Sequence, residues 1–146
     1  MPTYIVTSSN CNISQAQKKI IASGITKTHH EVTGANKYFA QVMFKETSKG
    51  DHFMGGKEVI TPEIFVQGFI RAGRTKDIKK KLIINLKDCL IEVLQLKQSQ
   101  IWVYLIDLEH TQMLEYGEIL PEPGKEAEWF SNLSAELKKK LSNLDL

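Results

Sequence analysis

The fold is decided by residues 64–94, which have the sequence IFVQGFIRAGRTKDIKKKLIINLKDCLIEVL. Residues 64–70 are a short run rich in β-branched and aromatic side chains, typical of a buried strand. Gly73 interrupts the run, and Thr75 is a residue type that caps helix N-termini. An apolar stripe at helical spacing follows, formed by Ile78, Leu82, Leu86, Cys89, Leu90, Val93 and Leu94. The stretch therefore predicts a strand, a tight connection and an amphipathic helix.

The same order of elements occurs 61 residues earlier. Residues 4–8 predict a strand, Ser14 is a candidate N-cap, and Gly34 is placed to end the helix between them. The interval from Ser14 to Thr75 equals the interval from Tyr4 to Phe65. A constant interval between matching elements indicates an internal duplication.

A second strand is predicted after each helix, at residues 38–44 and 101–108, and a glycine-containing hairpin at 47–57. A strand, a crossover helix and a second strand usually form a parallel pair with a right-handed connection. We therefore predict an α/β (α+β) fold: a duplicated β-α-β unit, one four-stranded sheet and two helices on one face. The 146 residues form a single predicted domain with halves at about 2–60 and 61–124 and a helical tail at 125–146.

Composition excludes several classes of protein. A net charge of +2 without a concentrated basic face argues against nucleic-acid binding. No apolar run is long enough to span a membrane, and no signal peptide is evident, so we expect a cytoplasmic protein. Two distant cysteines match no metal spacing, and no phosphate-binding or dinucleotide fingerprint occurs, so we expect no metal and no cofactor.

Strand 101–108 is apolar on both faces, because Trp102, Tyr104 and Ile106 alternate with other apolar residues. Two helices on one side of the sheet cover only one of these faces. Another subunit is the simplest cover for the other face.

Pro2 is the first residue with possible chemistry. Removal of Met1 would leave its nitrogen as a free secondary amine, and α-amino groups titrate at about pH 7.7–8.0, close to working pH. The alternative is that Pro2 is simply the second residue of the chain. The strand predicted from Tyr4 favours a rigidly held terminus.

Other candidates are Arg71 and Arg74, which flank Gly73 at a strand-to-helix junction where two guanidinium groups could bind a carboxylate. The alternative is two exposed surface arginines. His29 shares a helical face with Ile25 and Val32, which is also typical of a core histidine. Two further candidates lie in apolar runs, Tyr104 and Glu115.

These residues, taken together with several local motifs, resemble the tautomerase superfamily and, within it, the cis-3-chloroacrylic acid dehalogenase family. The resemblance covers nearly the whole chain. Its motifs are Met1-Pro2 followed by a strand, Ala40-Gln41-Val42, Phe53-Met54-Gly55-Gly56, Gly68 to Arg74, Ile101-Trp102-Val103-Tyr104, Glu115-Tyr116-Gly117, Leu120-Pro121, Pro123-Gly124, Glu128-Trp129-Phe130 and Asn132-Leu133-Ser134.

The resemblance implies a role for each candidate. Pro2 would deliver a proton to C2 of a small unsaturated carboxylate, and Glu115, helped by Tyr104, would activate water for attack at C3. The substrate carboxylate would be bound by His29, Arg71 and Arg74. The resemblance also implies a homotrimer, which agrees with the uncovered sheet face.

The loop after the first helix departs from the family pattern, since Ala35 replaces a threonine and Phe39 replaces a leucine. Both positions would border the substrate, so one lost hydroxyl and one larger ring would alter its fit. Hydration or dehalogenation with promiscuous keto–enol tautomerase activity is the leading prediction. The alternatives are a dedicated 2-oxoacid or enol tautomerase and a non-enzymatic binding protein that retains the pocket.

Overall fold

The computed structural model describes residues 2–145. Its strands and helices, in chain order, are β1 (Thr3–Ser9), α1 (Gln15–Thr33), β2 (Gln41–Thr47), β3 (Phe53–Met54), β4 (Lys57–Glu58), β5 (Glu63–Arg71), α2 (Lys76–Leu94), β6 (Ile101–Leu108), β7 (Leu114–Glu115), β8 (Glu118–Ile119), α3 (Glu126–Ser131) and α4 (Ala135–Leu144).

Both long helices begin at their predicted N-caps, and α1 also ends at its predicted glycine. The Ser14 hydroxyl accepts from the backbone N–H of Gln17, and the Thr75 hydroxyl accepts from that of Ile78, so each N-cap satisfies one unpaired amide. Helix α1 stops at Gly34, which adopts the left-handed conformation at φ 73°. Helix α2 stops at Gln95, which adopts the same conformation at φ 56° without being glycine.

The main sheet has the strand order β2-β1-β5-β6. Strand β1 pairs in parallel with β2, and β5 in parallel with β6, whereas β1 and β5 are antiparallel. The two β-α-β units therefore meet at their first strands, β1 and β5, and the second strand of each unit is an edge strand of the sheet. This arrangement confirms the predicted four-stranded sheet built from two parallel pairs.

One face of the sheet is buried under α1 and α2, with Tyr4, Val6, Ile64 and Val66 fully inaccessible. On the other face, Trp102 is 44% exposed and Tyr104 is 52% exposed. We call this second surface the outer face. Its exposure confirms the expectation that the two helices cover one side only.

The duplication extends to the small hairpins. Strands β3 and β4 flank Gly55 and Gly56, and strands β7 and β8 flank Tyr116 and Gly117, 61 residues later. All four turn residues have positive φ angles. Positive φ at both central residues is the turn geometry that matches the twist of a two-residue hairpin.

Two details differ from the sequence prediction. Residues Lys37–Phe39 form a 3-10 turn, and β2 begins only at Gln41, because the buried Tyr38 and Phe39 belong to a second apolar cluster and not to the sheet. The tail, for which the sequence predicts one short C-terminal helix, contains two short helices, α3 and α4. Ser134 starts the second of these by accepting from the backbone N–H of Leu137.

Candidate active site

A buried hydrogen bond joins Tyr4 of β1 to His29 of α1. The Tyr4 hydroxyl lies 2.7 Å from His29 Nδ1, and His29 is 2% exposed. Tyr4 occupies the helix-facing side of β1, and His29 continues the buried stripe of Ile21 and Ile25. The buried positions of β1 and α1 thus bring two polar side chains together between the sheet and the helices.

His29 is held neutral. Burial, followed by the positive charge of Arg74, lowers its pKa to about 3. Burial raises the pKa of Tyr4, against the smaller opposing effect of Arg74, so the phenol also stays neutral. A Tyr4 hydroxyl that donates to Nδ1 leaves His29 Nε2 as an N–H donor. That Nε2 atom is buried and has no hydrogen-bond partner.

Arg71 ends β5 and is covered by the tail. Its Nη1 donates to the Pro121 carbonyl at 2.9 Å, and its Nη2 donates to Glu126 Oε1 at 2.5 Å. The side chain is only 6% exposed. Its Nε atom is buried and has no hydrogen-bond partner, so one donor of this guanidinium is unsatisfied within the protein.

Arg74 lies in the connection to α2. Its Nη1 donates to the Arg71 carbonyl at 2.6 Å, so the backbone of one arginine holds the side chain of the other. Burial and then the neighbouring Arg71 charge lower the pKa of Arg74, although the guanidinium remains a cation at neutral pH. Its charge acts on both Tyr4 and His29, so Arg74 lies within electrostatic range of that hydrogen-bonded pair.

Pro2 lies at the same end of the sheet. It is buried, and its carbonyl accepts from the backbone N–H of Gln41 at 2.9 Å. The neighbouring Thr3 pairs with Phe69, two residues before Arg71. Met1 lies outside the described residues, so a free Pro2 amine stays a prediction.

Glu115 lies in β7 and is partly buried. The adjacent Tyr116 donates from its hydroxyl to the Tyr38 carbonyl at 2.5 Å and thereby fastens this hairpin to the turn before β2. Phe39 of that turn is 3% exposed, and its ring centroid lies 5.4 Å from that of Trp129 in a tilted contact. Ala35 packs against the edge of the same cluster and accepts from His30 Nδ1 through its carbonyl.

Tyr104 is not brought to the other candidates within the protomer. It lies on the outer face, paired in register with Gln67 and in edge-to-face contact with Phe65 at 5.1 Å. Tyr104 lies two strands away from Pro2 across the sheet and three residues away along the strands. At ordinary sheet dimensions this separation is roughly 14 Å. Tyr104 instead lines a cavity of about 440 Å³ that also includes Glu63, at the opposite end of β5 from Arg71.

Sequence reasoning missed Tyr4 and Glu126. The alternation of β1 places Tyr4 among its buried positions, and a buried tyrosine hydroxyl needs a partner, so that signal was present. Glu126 gave no signal, because the tail sequence does not indicate which strand end it covers. Within residues 2–145 the structure contains neither a cluster of three metal-ligating side chains nor a helix able to span a bilayer.

Comparison with known proteins agrees with this architecture. Residues 1–133 match the Tautomerase_3 family, described as an oxalocrotonate tautomerase enzyme family. No curated protein sequence matches the chain.

Three solved structures give the range of similarity. The protein N1, described as a member of the cis-3-chloroacrylic acid dehalogenase family, is 34% identical, with a TM-score of 0.91 over 97% of this chain and 99% of that one. Native Ps01740 is 25% identical, with a TM-score of 0.72 over 77% and 99% of the two chains. A fused 4-OT, described as a symmetric trimer, shares the fold at 21% identity, with a TM-score of 0.73 over 81% and 94%.

A family match over nine-tenths of the chain and a near-complete structural match to N1 lead to one conclusion. The chain belongs to the tautomerase superfamily and, within it, to the cis-3-chloroacrylic acid dehalogenase-like family.

Proposed function

We propose that this protein hydrates small 2,3-unsaturated carboxylates, 3-haloacrylates among them, with Pro2 as the proton donor. One observation gives the main support: His29 Nε2 and Arg71 Nε are both buried without a hydrogen-bond partner, and the charge of Arg74 acts on His29 while that of Arg71 acts on Arg74. Buried donors without partners are rare in folded proteins, and a ligand is one common explanation.

The substrate carboxylate binds Arg74 and the free donor of Arg71. Guanidinium groups form strong, charge-assisted hydrogen bonds to carboxylates. The neutral His29 donates a third hydrogen bond from Nε2 without adding charge. Because both His29 and Tyr4 stay uncharged, their shared hydrogen bond fixes the direction of that donor over a wide pH range.

The chemistry needs a base at C3 and an acid at C2. Glu115 takes a proton from water while the water oxygen forms a bond to C3, and the Pro2 ammonium gives a proton to C2. With a 3-halo substrate, the resulting halohydrin loses halide and the hydroxyl proton to give an aldehyde. Glu115 releases its proton to solvent and Pro2 takes one up, so both groups return to their starting states and the cycle is balanced.

Tyr104 assists Glu115 only if a neighbouring subunit supplies it, because the outer face lies away from Pro2 within one protomer. We therefore propose a homotrimer in which the outer face packs on a second copy. The exposed apolar side chains Met43, Trp102 and Ile106 support such burial. The trimer described for the fused 4-OT is a precedent within the same fold.

The decisive experiment compares wild type with Pro2→Ala, incubated with cis-3-chloroacrylate and with the enol of phenylpyruvate, and identifies products by proton NMR. The proposal predicts turnover by wild type and its loss in Pro2→Ala. Equal turnover by both proteins would overturn the enzymatic proposal and favour a binding protein. A mass spectrum of the purified chain checks that Met1 has been removed.

Keto–enol tautomerisation of a 2-oxoacid is the second candidate, supported by the family described as oxalocrotonate tautomerases. It requires Pro2 as a neutral base instead of a protonated acid. A pH–rate profile separates the two: activity that falls as pH rises through the amine pKa indicates an acid, and activity that falls as pH drops indicates a base.

A further inference from the structure

The Arg71–Glu126 ion pair is the feature of the site that the proposed chemistry does not use. Glu126 approaches from the start of α3, and its Oε1 accepts from Arg71 Nη2 at 2.5 Å. The Arg71 side chain is 6% exposed and the Glu126 side chain 31% exposed. A contact so shielded from water is screened far less than a surface pair.

Glu126 is ionised in this contact. Partial burial alone would raise the pKa of its carboxyl group, but the hydrogen bond and charge of Arg71 outweigh burial and hold the pKa below its usual value. Arg71 is therefore neutralised from within the protein before any ligand arrives.

The charges acting on Arg74 can be counted. Arg71, Asp107 and Glu126 all influence it, and Asp107 is itself paired with Lys79 Nζ at 2.6 Å. Three cations, including Arg74 itself, and two carboxylates leave one net positive charge. The arginine pair thus offers a ligand one uncompensated cation.

We infer that Glu126 is a specificity-determining residue, which neutralises Arg71 so that the site selects substrates with one carboxylate over those with two. This inference rests on the proposed function, because it concerns the same carboxylate site. A monoanion matches the single uncompensated guanidinium of the arginine pair, whereas the second charge of a dianion meets no further free guanidinium there and is repelled by Glu126.

The test uses two unreactive four-carbon acids, butanoate and succinate, titrated at pH 7.5 by calorimetry. Wild type should bind butanoate more tightly. Glu126→Gln keeps the shape of the side chain and removes its charge, and should raise the affinity for succinate relative to butanoate about tenfold.

Glu128→Gln is the matched control. It removes one negative charge from the same helix, but Glu128 is 70% exposed and pairs only loosely with Lys125 at 3.8 Å. Its succinate-to-butanoate ratio should stay at the wild-type value. An unchanged ratio in folded Glu126→Gln, or an equal change in Glu128→Gln, would overturn the inference.

A double variant keeps the test decisive if Glu126→Gln does not fold. Arg71→Met with Glu126→Gln removes both members of the pair, and replacing a buried ion pair is often tolerated. Both acids should bind more weakly by a similar factor, with the wild-type ratio preserved. If the succinate-to-butanoate ratio of this folded double variant differs from wild type by more than about threefold, Glu126 does not act by neutralising Arg71.

Failure of the proposed function gives a different result. If wild type binds neither acid, or Arg74→Ala binds both as well as wild type does, there is no carboxylate site and both proposals fall. If wild type binds butanoate through Arg74 but the succinate-to-butanoate ratio is the same in wild type and Glu126→Gln, only the inference about Glu126 is wrong.

Discussion

The two halves of the chain have nearly the same backbone and very different side chains at matching positions. Helices α1 and α2 each span 19 residues at an offset of 61. The pairs at that offset are Pro2 and Glu63, Tyr4 and Phe65, Asn10 and Arg71, Ile13 and Arg74, His29 and Leu90, and Met54 and Glu115.

One end of the sheet therefore holds the polar set, and its duplicate holds mostly apolar or uncharged equivalents. Leu90 is fully buried in the core, whereas His29 at the matching position must be buried with a polar partner. Burying polar and charged groups costs stability unless they are paired. The difference indicates that the fold does not require these side chains, which is expected if they serve binding and catalysis.

The largest expected effect comes from truncating Arg74 and its duplicate Ile13. Arg74→Ala should lower kcat/KM at least about a hundredfold, because it removes the uncompensated cation that we propose binds the substrate carboxylate. Ile13→Ala should leave kcat/KM of the folded protein unchanged but lower the free energy of unfolding by about 2–4 kcal/mol, since Ile13 is 5% exposed in the core. Steady-state kinetics and urea unfolding on both variants provide the comparison.

Acid should destabilise the polar end through His29. Its pKa is about 3 when folded and near 6.5 when exposed, so between these values the unfolded chain binds a proton that the native protein excludes. The free energy of unfolding should fall as pH drops below 6.5, by up to about 1.4 kcal/mol per pH unit.

The measurement is urea unfolding from pH 7 to pH 4.5 for wild type and His29→Leu. Titration of carboxylates is common to both proteins and cancels in the difference. Parallel curves would show that His29 is not a buried neutral histidine.

A smaller change in the free energy of unfolding is expected when Tyr4 and His29 are replaced by the residues found at the matching positions of the second half. Tyr4→Phe with His29→Leu reproduces Phe65 and Leu90, and should leave the free energy of unfolding within about 1 kcal/mol of wild type, since both hydrogen-bonding partners are removed together. Tyr4→Phe alone leaves His29 Nδ1 buried and unsatisfied, and should cost about 1–3 kcal/mol. A double variant less stable than Tyr4→Phe would contradict the equivalence of the two positions.

The smallest effect concerns the helix C-caps. Gly34 and Gln95 are equivalent and both left-handed, at φ 73° and 56°. Gln95→Gly should raise the free energy of unfolding by about 0.5 kcal/mol, and Gly34→Ala should lower it by about 1 kcal/mol. Thermal unfolding measures both changes; because a Cβ at Gly34 would meet no atom within 4 Å, only backbone strain contributes there.

The backbone could be predicted from sequence because its signals are local and occur twice. Ser14, Thr75 and Gly34 fixed the helix ends, and the 61-residue interval identified the duplication. Gln95 cannot be recognised as a helix end from sequence, because a glutamine in the left-handed conformation has no sequence signature. Tyr38 and Phe39 were assigned to a strand because buried aromatic residues in a turn resemble a strand in composition.

The candidate site depended more on resemblance than on local pattern. His29 could be placed on the buried stripe of α1, but its bond to Tyr4 joins residues 25 positions apart. The contact between Arg71 and Glu126 spans 55 positions and depends on how the tail crosses the sheet. Side-chain contacts at that separation are set by tertiary packing, which no single stretch of sequence indicates.

The central claim is that only one of the two duplicated ends binds a carboxylate. The direct test is titration of ¹⁵N-labelled protein with butanoate, followed by amide and imidazole chemical shifts. We expect saturable shifts at Thr3, Gly73, Arg74 and the His29 ring, with none at Asn10, Ile13 and Glu63. Shifts of equal size at both ends, or at the Glu63 end alone, would contradict it.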